Sequence, residues 1–214
     1  MPALITPTQR ETWAAHYATP RGLRYWPNEE LVRFGGRRGH VLGDRVLEVG
    51  VGNGANLRYL DESSRFVVGV DFCREALALA PWEGGVYVQA DGFQLPFEGG
   101  AFAGIVDCMT SQHVPWVQHR ALYREYARVV RSGGWLFLFH LDRYTTGANV
   151  DRSEIDVENL PLFPKAGLTA LPHPGALAWE VLQGGFHVNE VRGLAREYGD
   201  LSVAHYTIIE ATAI

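Results

Sequence analysis

The fold is decided by the stretch Val46-Leu47-Glu48-Val49-Gly50-Val51-Gly52-Asn53-Gly54. Its first half is a short apolar run, which is typical of a buried parallel strand. Alternating glycines follow, and residues 55–60 can then open a helix. Glycine lets the backbone approach a ligand closely, and the first turn of a helix has free N–H groups. The order of strand, glycine turn and helix therefore predicts a site for a nucleotide-like ligand.

The glycine turn also fits a loose dinucleotide-binding pattern, because Gly50, Gly52 and Ala55 occupy the positions of G-x-G-x-x-G/A. Glu48, two residues before the first glycine, argues against a diphosphate ligand. A carboxylate at this point repels a phosphate anion and suits a cationic ligand. The glycines continue at Gly54, which gives the longer form E-x-G-x-G-x-G.

In this longer form the stretch resembles motif I of the class I S-adenosylmethionine-dependent methyltransferases. Residues 90–102 are similar to the family's D…LPF…F-D segment, with Ala103 in place of the final aspartate. Residues 125–134 are similar to the family's E-x-x-R-V-L-x-P-G-G segment, with Ser132 in place of the proline. The resemblance covers residues 46–139 and fades on either side, where such enzymes usually encode the choice of substrate.

The resemblance implies an S-adenosylmethionine site at the ends of the first three strands. Asp71 lies about twenty residues beyond motif I, where an acidic residue binds both ribose hydroxyls, although it can also cap the next helix. Asp91 is implied to accept a hydrogen bond from the adenine amino group, with an Asx-turn as the alternative. Phe72 can pack on an adenine face or in the core. The predicted cofactor-binding residues are Glu48, Gly50, Gly52, Asn53, Gly54, Asp71, Phe72, Asp91, Gly92, Phe93, Tyr25 and Ser111.

Candidate catalytic residues follow the fourth and fifth strands, because ligands of open α/β sheets lie at the carboxyl ends of strands. His113 and His140 are predicted as general bases, since the pKa of histidine lies near neutrality. Each can instead pack or form hydrogen bonds behind the cofactor. Tyr17, Tyr25 and Trp26 can lie near a sulfonium, or they can dock an N-terminal helix. No His, Cys and carboxylate cluster has metal-site spacing, so no metal is predicted.

Apolar runs alternate with helical periodicity through the middle of the chain. This alternation predicts an α/β fold, with a Rossmann-like doubly wound sheet of seven mostly parallel strands, helices on both faces and an antiparallel last strand. We expect one methyltransferase domain with an N-terminal helical lid (1–40), a cofactor-binding core (41–141), a substrate-side insertion (142–175) and a C-terminal helix with a strand pair (176–214). Periodicity is lost over residues 145–174, so this segment is expected to form a loop or short helix over the substrate.

Strands are predicted at residues 45–49, 66–71, 86–90, 102–108, 135–139, 186–191 and 203–211, and helices at residues 8–17, 28–34, 74–80, 117–131 and 175–183. Asn28 is predicted to cap its helix through its side chain. Gly133 and Gly134 are predicted to end the fourth of these helices, as left-handed caps do.

The chain of 214 residues has a net charge of −5 and two cysteines. One domain with a full core is the default at this length. The negative net charge does not indicate the basic face that nucleic-acid binding usually requires. No apolar run approaches the roughly 20 residues of a membrane span. Two cysteines make no disulfide framework, and the N-terminus has no signal-peptide pattern, so a cytoplasmic location is predicted.

The sequence thus predicts an S-adenosylmethionine-dependent methyltransferase that acts on an oxygen or nitrogen of a small metabolite and releases S-adenosylhomocysteine. Neither nucleic acid nor membrane is an expected partner, and the oligomeric state is open. One alternative is a catalytically silent cofactor-binding module that acts through a partner. Another is a nicotinamide-dependent oxidoreductase, against which Glu48 and the double glycine before the fifth strand both argue.

Overall fold

The apolar run before the glycines forms strand β1 (Gly43–Val49), whose last four residues are buried. A computed structural model gives the structure and describes residues 7–19, 23–80, 84–146, 154–158, 167–198 and 203–214. Parts of the predicted lid and of the predicted insertion lie outside these residues. No helix in the described ranges is long and apolar enough to cross a lipid bilayer.

The helices are α1 (Pro7–Tyr17), α2 (Glu29–Arg37), α3 (Leu57–Ser63), α4 (Arg74–Ala78), α5 (His119–Val129) and α6 (Pro174–Gln183). The remaining strands are β2 (Ser64–Asp71), β3 (Val86–Gln89), β4 (Phe102–Cys108), β5 (Val130–Leu141), β6 (Asp156–Glu158), β7 (Leu168–Ala170), β8 (Phe186–Glu197) and β9 (Val203–Ala213). Two 3₁₀ turns, Ser111–His113 and Trp116–Gln118, connect β4 to α5.

Seven of these strands form one sheet in the order β3-β2-β1-β4-β5-β9-β8. Strands β1 to β5 pair in parallel with their neighbours, whereas β9 is antiparallel to both β5 and β8. The predicted doubly wound, mostly parallel sheet with an antiparallel last strand is therefore confirmed. This order brings the carboxyl ends of β3, β2, β1 and β4 to one edge.

Each face of the sheet packs against its own set of helices. Helices α5 and α6 cover one face, where Leu122 and Leu177 pack with Leu136 and Leu138 of β5. Helices α2 and α3 cover the other face through the buried side chains of Leu31, Phe34, Leu57 and Leu60. Burial of side chains of this size stabilises a domain by roughly 1.5–3 kcal/mol each, so the two layers hold the sheet edge in place.

The two N-terminal helices, α1 and α2, are held in the domain in different ways. Asn28 caps α2 as predicted, because its Oδ1 accepts from the backbone N–H groups of Glu30 and Leu31. Helix α1 has no buried residue. Its contacts with the rest of the domain include the 3.3 Å hydrogen bond from Arg10 to the carbonyl oxygen of Phe72 and the ring contact between Trp13 and His113.

Two sequence predictions about secondary structure are wrong. Helix α5 ends at Val129, and Gly133, with a φ of 74°, lies inside β5 and does not end the helix. Helix α3 begins at Leu57, within the stretch 55–60 that was predicted to open a helix. The insertion contains a two-stranded sheet of β6 and β7 where a loop or short helix was expected.

Candidate active site

A cavity of about 410 Å³ opens at the carboxyl ends of β1, β2, β3 and β4. Helix α1 forms one wall, and the segment after β4 forms another. The cavity has the size and the mixed polar and apolar lining of a small-molecule site. It lies at the edge where open α/β sheets bind their ligands.

The glycine turn shapes the floor of this cavity. Gly50 and Gly52 have φ values of 70° and 56°, which side chains rarely allow. A Cβ atom at Gly50 would lie 2.0 Å from Oγ1 of Thr110, and one at Gly52 would lie 2.5 Å from the hydroxyl of Tyr17. Glycine is therefore required at both positions by backbone conformation and by close packing.

Glu48 lies at the end of β1 and is 2% exposed. Its Oε1 accepts a 2.6 Å hydrogen bond from Nδ2 of Asn56, and Oε2 has no partner among the described residues. Burial raises the pKa of the Glu48 carboxyl to about 8. A buried carboxylate oxygen without a partner is costly, so this atom has the character of a ligand-binding group.

Asp71 ends β2 and also lines the cavity. Its Oδ2 accepts from the N–H of Gly52 at 2.9 Å, and its Oδ1 accepts from the N–H of Cys73 at 2.8 Å. Burial raises the pKa of this carboxyl, against the effect of the two backbone bonds. Each carboxylate oxygen can accept more than one hydrogen bond, so these backbone contacts leave room for hydroxyl donors.

Asp91, Gly92 and the residues after β3 form the third part of the floor. Oδ1 of Asp91 accepts from the N–H of Phe93 at 3.0 Å, which is the Asx-turn given as the alternative to adenine binding. Asp91 also lines the cavity. The side chain of Phe93 packs mainly into the hydrophobic core. Phe72 lines the cavity, and the Arg10 guanidinium lies 5.7 Å from the centre of its ring.

Three residues predicted to bind cofactor do not line the cavity. Gly54 faces Tyr87, whose hydroxyl would lie 2.9 Å from an added Cβ atom. Tyr25 is 75% exposed on the surface. Ser111 is fully buried, where its backbone N–H donates to Asp107.

His113 reaches the cavity, but both of its ring nitrogens already have partners. Nδ1 lies 3.1 Å from the carbonyl oxygen of Leu168 in β7, and Nε2 lies 3.1 Å from Nε2 of Gln112. These contacts fit a neutral ring that donates from Nδ1 and accepts at Nε2. Burial lowers the pKa of His113 to about 4. The geometry favours a residue that fixes the cavity wall.

His140 is fully buried and does not line the cavity. Its Nε2 lies 3.2 Å from Nε2 of His119 in α5, and burial lowers the pKa of His140 well below its ordinary value. Alternation along β5 explains this position, because Phe139 and Leu141 point to the opposite layer. Among the described residues, no group of His, Cys, Asp and Glu side chains could hold a metal ion.

A family model described as a methyltransferase domain matches residues 47–138 of this chain. Over 136 residues the chain is 32% identical to a fatty-acid O-methyltransferase of Mycolicibacterium smegmatis, covering 56% of this chain and 47% of that protein. It is also 32% identical over 112 residues to a ubiquinone biosynthesis O-methyltransferase of Bordetella avium, covering 49% of this chain and 46% of that protein. The chain thus aligns with about half the length of these relatives.

Solved structures with the same fold include a geranyl diphosphate C-methyltransferase from Streptomyces coelicolor in complex with Mg²⁺, geranyl diphosphate and S-adenosyl-L-homocysteine. The TM-score is 0.71 at 14% identity, and the match covers 100% of both chains. Residues 47–138 thus match the methyltransferase domain family, and the chain has the fold of class I S-adenosylmethionine-dependent methyltransferases. S-adenosylmethionine is the cofactor of this superfamily, and the floor of the cavity is built from the segments that carry the family motifs.

The cavity of this methyltransferase domain contains a cationic residue that the sequence did not single out. Arg24 lines it, and within the described ranges no ion pair reaches its guanidinium. The backbone of Arg24 is fixed by two hydrogen bonds with the side chain of Asn53, at 3.2 and 2.8 Å. Its Nη2 lies 3.1 Å from the sulfur of Met109, beyond β4. Arg24 precedes Gly50, the first residue of the glycine turn, by 26 residues, so no local pattern indicates this contact.

The cavity also fits the polar groups of S-adenosylmethionine. The partnerless Oε2 of Glu48 matches an ammonium, and Arg24 matches a carboxylate, as an α-amino acid group requires. Asp71 and Asp91 supply acceptors on the neighbouring strand ends. A phosphate-containing ligand would meet three carboxylates in the same space.

Proposed function

We propose that this chain transfers the methyl group of S-adenosylmethionine to an oxygen or nitrogen atom of a small metabolite. The observation that carries the proposal is the unpartnered oxygen of Glu48, buried in the family's motif I and facing a cavity that also contains Arg24. When bound, S-adenosylmethionine supplies a methyl group on a sulfonium, which is a good leaving group. The protein then has to bind and orient both reactants.

In this proposal the amino-acid end of the cofactor lies between Glu48 and Arg24. Glu48 accepts from the ammonium, and Arg24 donates to the carboxylate. Charge-assisted hydrogen bonds of this kind contribute roughly 1.5–3 kcal/mol each in a buried site. Asn53 supports the pair because its side chain holds the backbone of Arg24.

The adenosine end lies over β2 and β3. Asp71 accepts from the ribose hydroxyls, while its existing bonds to backbone N–H groups hold the carboxylate in place. Asp91 accepts from the adenine amino group, and the N–H of Gly92 donates to a ring nitrogen. Phe72 packs on an adenine face, on the side where Arg10 also contacts it.

The acceptor enters between α1 and the segment after β4. Trp13 and His113 meet edge to face there, with ring centres 4.8 Å apart. Tyr17 and Trp13 present aromatic surfaces to the cavity, and such surfaces attract a cation such as a sulfonium. Oxygen is supported as the acceptor atom because both named relatives are O-methyltransferases.

Methyl transfer can be tested with S-adenosylmethionine labelled in its methyl group. The purified chain is incubated with this cofactor and a fractionated metabolite extract, and labelled product and S-adenosylhomocysteine are measured. We expect both to form with the wild-type chain and to fall strongly with Asp71→Ala. Tight binding of S-adenosylhomocysteine without turnover in any fraction would instead support a catalytically silent binding module.

A further inference from the structure

The cavity has two halves of opposite chemistry. Its carboxylates, Glu48, Asp71 and Asp91, lie at the ends of β1, β2 and β3, which are neighbours in the sheet. The other half is formed by α1 and by the segment after β4. None of the described residues that line this second half is an aspartate or a glutamate.

The second half, which we call the acceptor half, is apolar and aromatic with a few neutral polar groups. Its walls include Trp13 and Tyr17 from α1 and Met109, Val114 and Pro115 after β4. Arg24 lies between the two halves, because its backbone is hydrogen-bonded to Asn53 in the glycine turn and its guanidinium contacts the sulfur of Met109. A cationic amine would find no carboxylate side chain among the described residues of this half.

The acceptor half also offers poor general bases. Both ring nitrogens of His113 are occupied, by Leu168 and by Gln112. The hydroxyl of Tyr126 donates to the buried carboxylate of Asp107, and burial raises the pKa of Tyr126 well above its ordinary value. Burial likewise raises the pKa of the Tyr17 hydroxyl. None of these three groups is ready to take a proton from an alcohol or a phenol at neutral pH. His16 on α1 also lines the cavity, and the pH profile below tests whether it acts as a base.

We infer that the acceptor is a carboxylic acid with an apolar body, methylated on oxygen as its anion. This inference rests on the proposed function and narrows its acceptor class. A carboxylate is already ionised at neutral pH, because such groups have pKa values near 4. The guanidinium of Arg24 has five N–H donors, so it can donate to the acceptor carboxylate as well as to the carboxylate of the cofactor. The apolar body of the acid suits the walls around Trp13 and Val114.

The reaction balances without a base. The carboxylate oxygen forms a bond to the methyl carbon as the carbon–sulfur bond breaks, and the electron pair of that bond stays on sulfur. The products are a methyl ester and S-adenosylhomocysteine, and no proton is released. This transfer therefore needs no base in the acceptor half, whereas transfer to a neutral alcohol needs a proton acceptor.

The test uses matched sets of a carboxylic acid, the primary alcohol and the primary amine on one carbon skeleton. The skeletons are medium-chain aliphatic, long-chain aliphatic and aromatic, and S-adenosylhomocysteine formation is measured with the full chain. For at least one skeleton we expect the acid to react more than about 100-fold faster than its alcohol and amine, which is two powers of ten in rate. Faster reaction of any alcohol or amine than of every acid overturns the inference.

The pH profile gives a second readout. With an acid acceptor and S-adenosylmethionine saturating at every pH, kcat should stay level from about pH 6 to 9, because no histidine near its ordinary pKa of about 6.5 takes part. A rise in rate with a midpoint near that value would assign proton removal to a histidine, for which His16 on α1 is the candidate, and would overturn the inference.

Calorimetry separates this inference from the proposed function. S-adenosylhomocysteine is titrated first, and each acid, alcohol and amine is then titrated into that complex. The acid of a reactive skeleton should bind more tightly than its alcohol. With S-adenosylhomocysteine saturating in both proteins, Arg24→Met should weaken binding of the acid more than binding of the alcohol. If S-adenosylhomocysteine binds but no acid binds or reacts, the acceptor class is wrong and the proposed function stands. If S-adenosylhomocysteine does not bind, the proposed function itself fails.

Discussion

Nδ2 of Asn56 donates a 2.6 Å hydrogen bond to Oε1 of Glu48, while the other carboxylate oxygen, Oε2, is buried with no partner in the described part of the chain. Asn56 also accepts from the backbone N–H of Asn28 at 2.7 Å, so its amide is fixed on both sides. The fold therefore orients one oxygen of Glu48 and leaves the other for a ligand. This arrangement gives the cavity a preference for a cation at motif I.

Cofactor binding should release a proton from Glu48. Burial raises the pKa of this carboxyl to about 8, so it is mostly protonated at pH 6–7 in the free protein, whereas an ammonium ligand favours the ionised form. Affinity for S-adenosylhomocysteine should therefore rise as pH increases from 6 towards 8, by up to about tenfold per pH unit. Calorimetry at pH 6.5 in buffers of different ionisation enthalpy measures the proton count.

The matched variants for this prediction are Glu48→Gln and Glu62→Gln. Glu62 is an exposed carboxylate on α3, so its variant should release a proton on binding as the wild type does. Glu48→Gln should bind more weakly, with no proton release and little dependence on pH. A wild-type chain that binds without releasing a proton would show that Glu48 is not the ammonium acceptor.

Asp71→Ala should weaken binding of S-adenosylhomocysteine by roughly 30- to 1000-fold, because the two hydrogen bonds from ribose hydroxyls to this carboxylate together contribute ~2–4 kcal/mol. The control is Asp44→Ala, which removes an exposed carboxylate at the far end of β1. Circular dichroism should show an intact fold, since Asp71 also accepts from two backbone N–H groups. Unchanged affinity in a folded Asp71→Ala variant would place the ribose elsewhere.

Arg24→Met should weaken binding of S-adenosylhomocysteine by roughly 10- to 150-fold, because one charge-assisted hydrogen bond to the carboxylate is lost. The same substitution should have little effect on an analogue that lacks the carboxylate but keeps the ammonium. Arg65→Met is the control, because the Arg65 side chain is 85% exposed. Equal loss of affinity for both ligands would mean that Arg24 acts on the shape of the cavity rather than on the carboxylate.

His113→Ala and His140→Ala should mainly lower stability, because both histidines are buried and hydrogen-bonded. We expect a loss of ~1–3 kcal/mol in the free energy of unfolding for each, and a fall in kcat of less than about tenfold. Denaturant unfolding and kcat with an identified acceptor are the measurements, and His187→Ala on the exposed face of β8 is the control. A fall of ~10²–10⁴ in kcat with unchanged stability would make the residue a general base.

Much of the fold could be predicted because its signals are local. The apolar run that ends at Val49 and the side-chain cap at Asn28 each occupy a few neighbouring residues. Gly133 and Gly134 led to a wrong prediction of a helix end because their signal is also local. A positive φ at Gly133 fits a helix cap as well as a strand irregularity, and only the pairing of β5 with β4 distinguishes them.

The site was harder to predict where it depends on the direction in which a side chain points or on contacts between distant parts of the chain. The strand ends indicated the edge that carries Glu48 and Asp71, but position alone did not give the orientation of His140 or Ser111. Arg24 reaches the cavity through Asn53, 29 residues away, which leaves no periodic pattern. Part of the predicted insertion lies outside the described residues, and its contribution over the substrate stays a prediction.

The central claim is that the cavity is built for S-adenosylmethionine and not for a dinucleotide. Calorimetric titration of the wild-type chain with S-adenosylhomocysteine and with NAD under identical conditions tests it most directly. The unpartnered oxygen of Glu48 at motif I predicts that S-adenosylhomocysteine binds. Above about pH 8, where the Glu48 carboxyl is ionised and repels a diphosphate, NAD should bind at least about 100-fold more weakly. Tighter binding of NAD than of S-adenosylhomocysteine would contradict the claim.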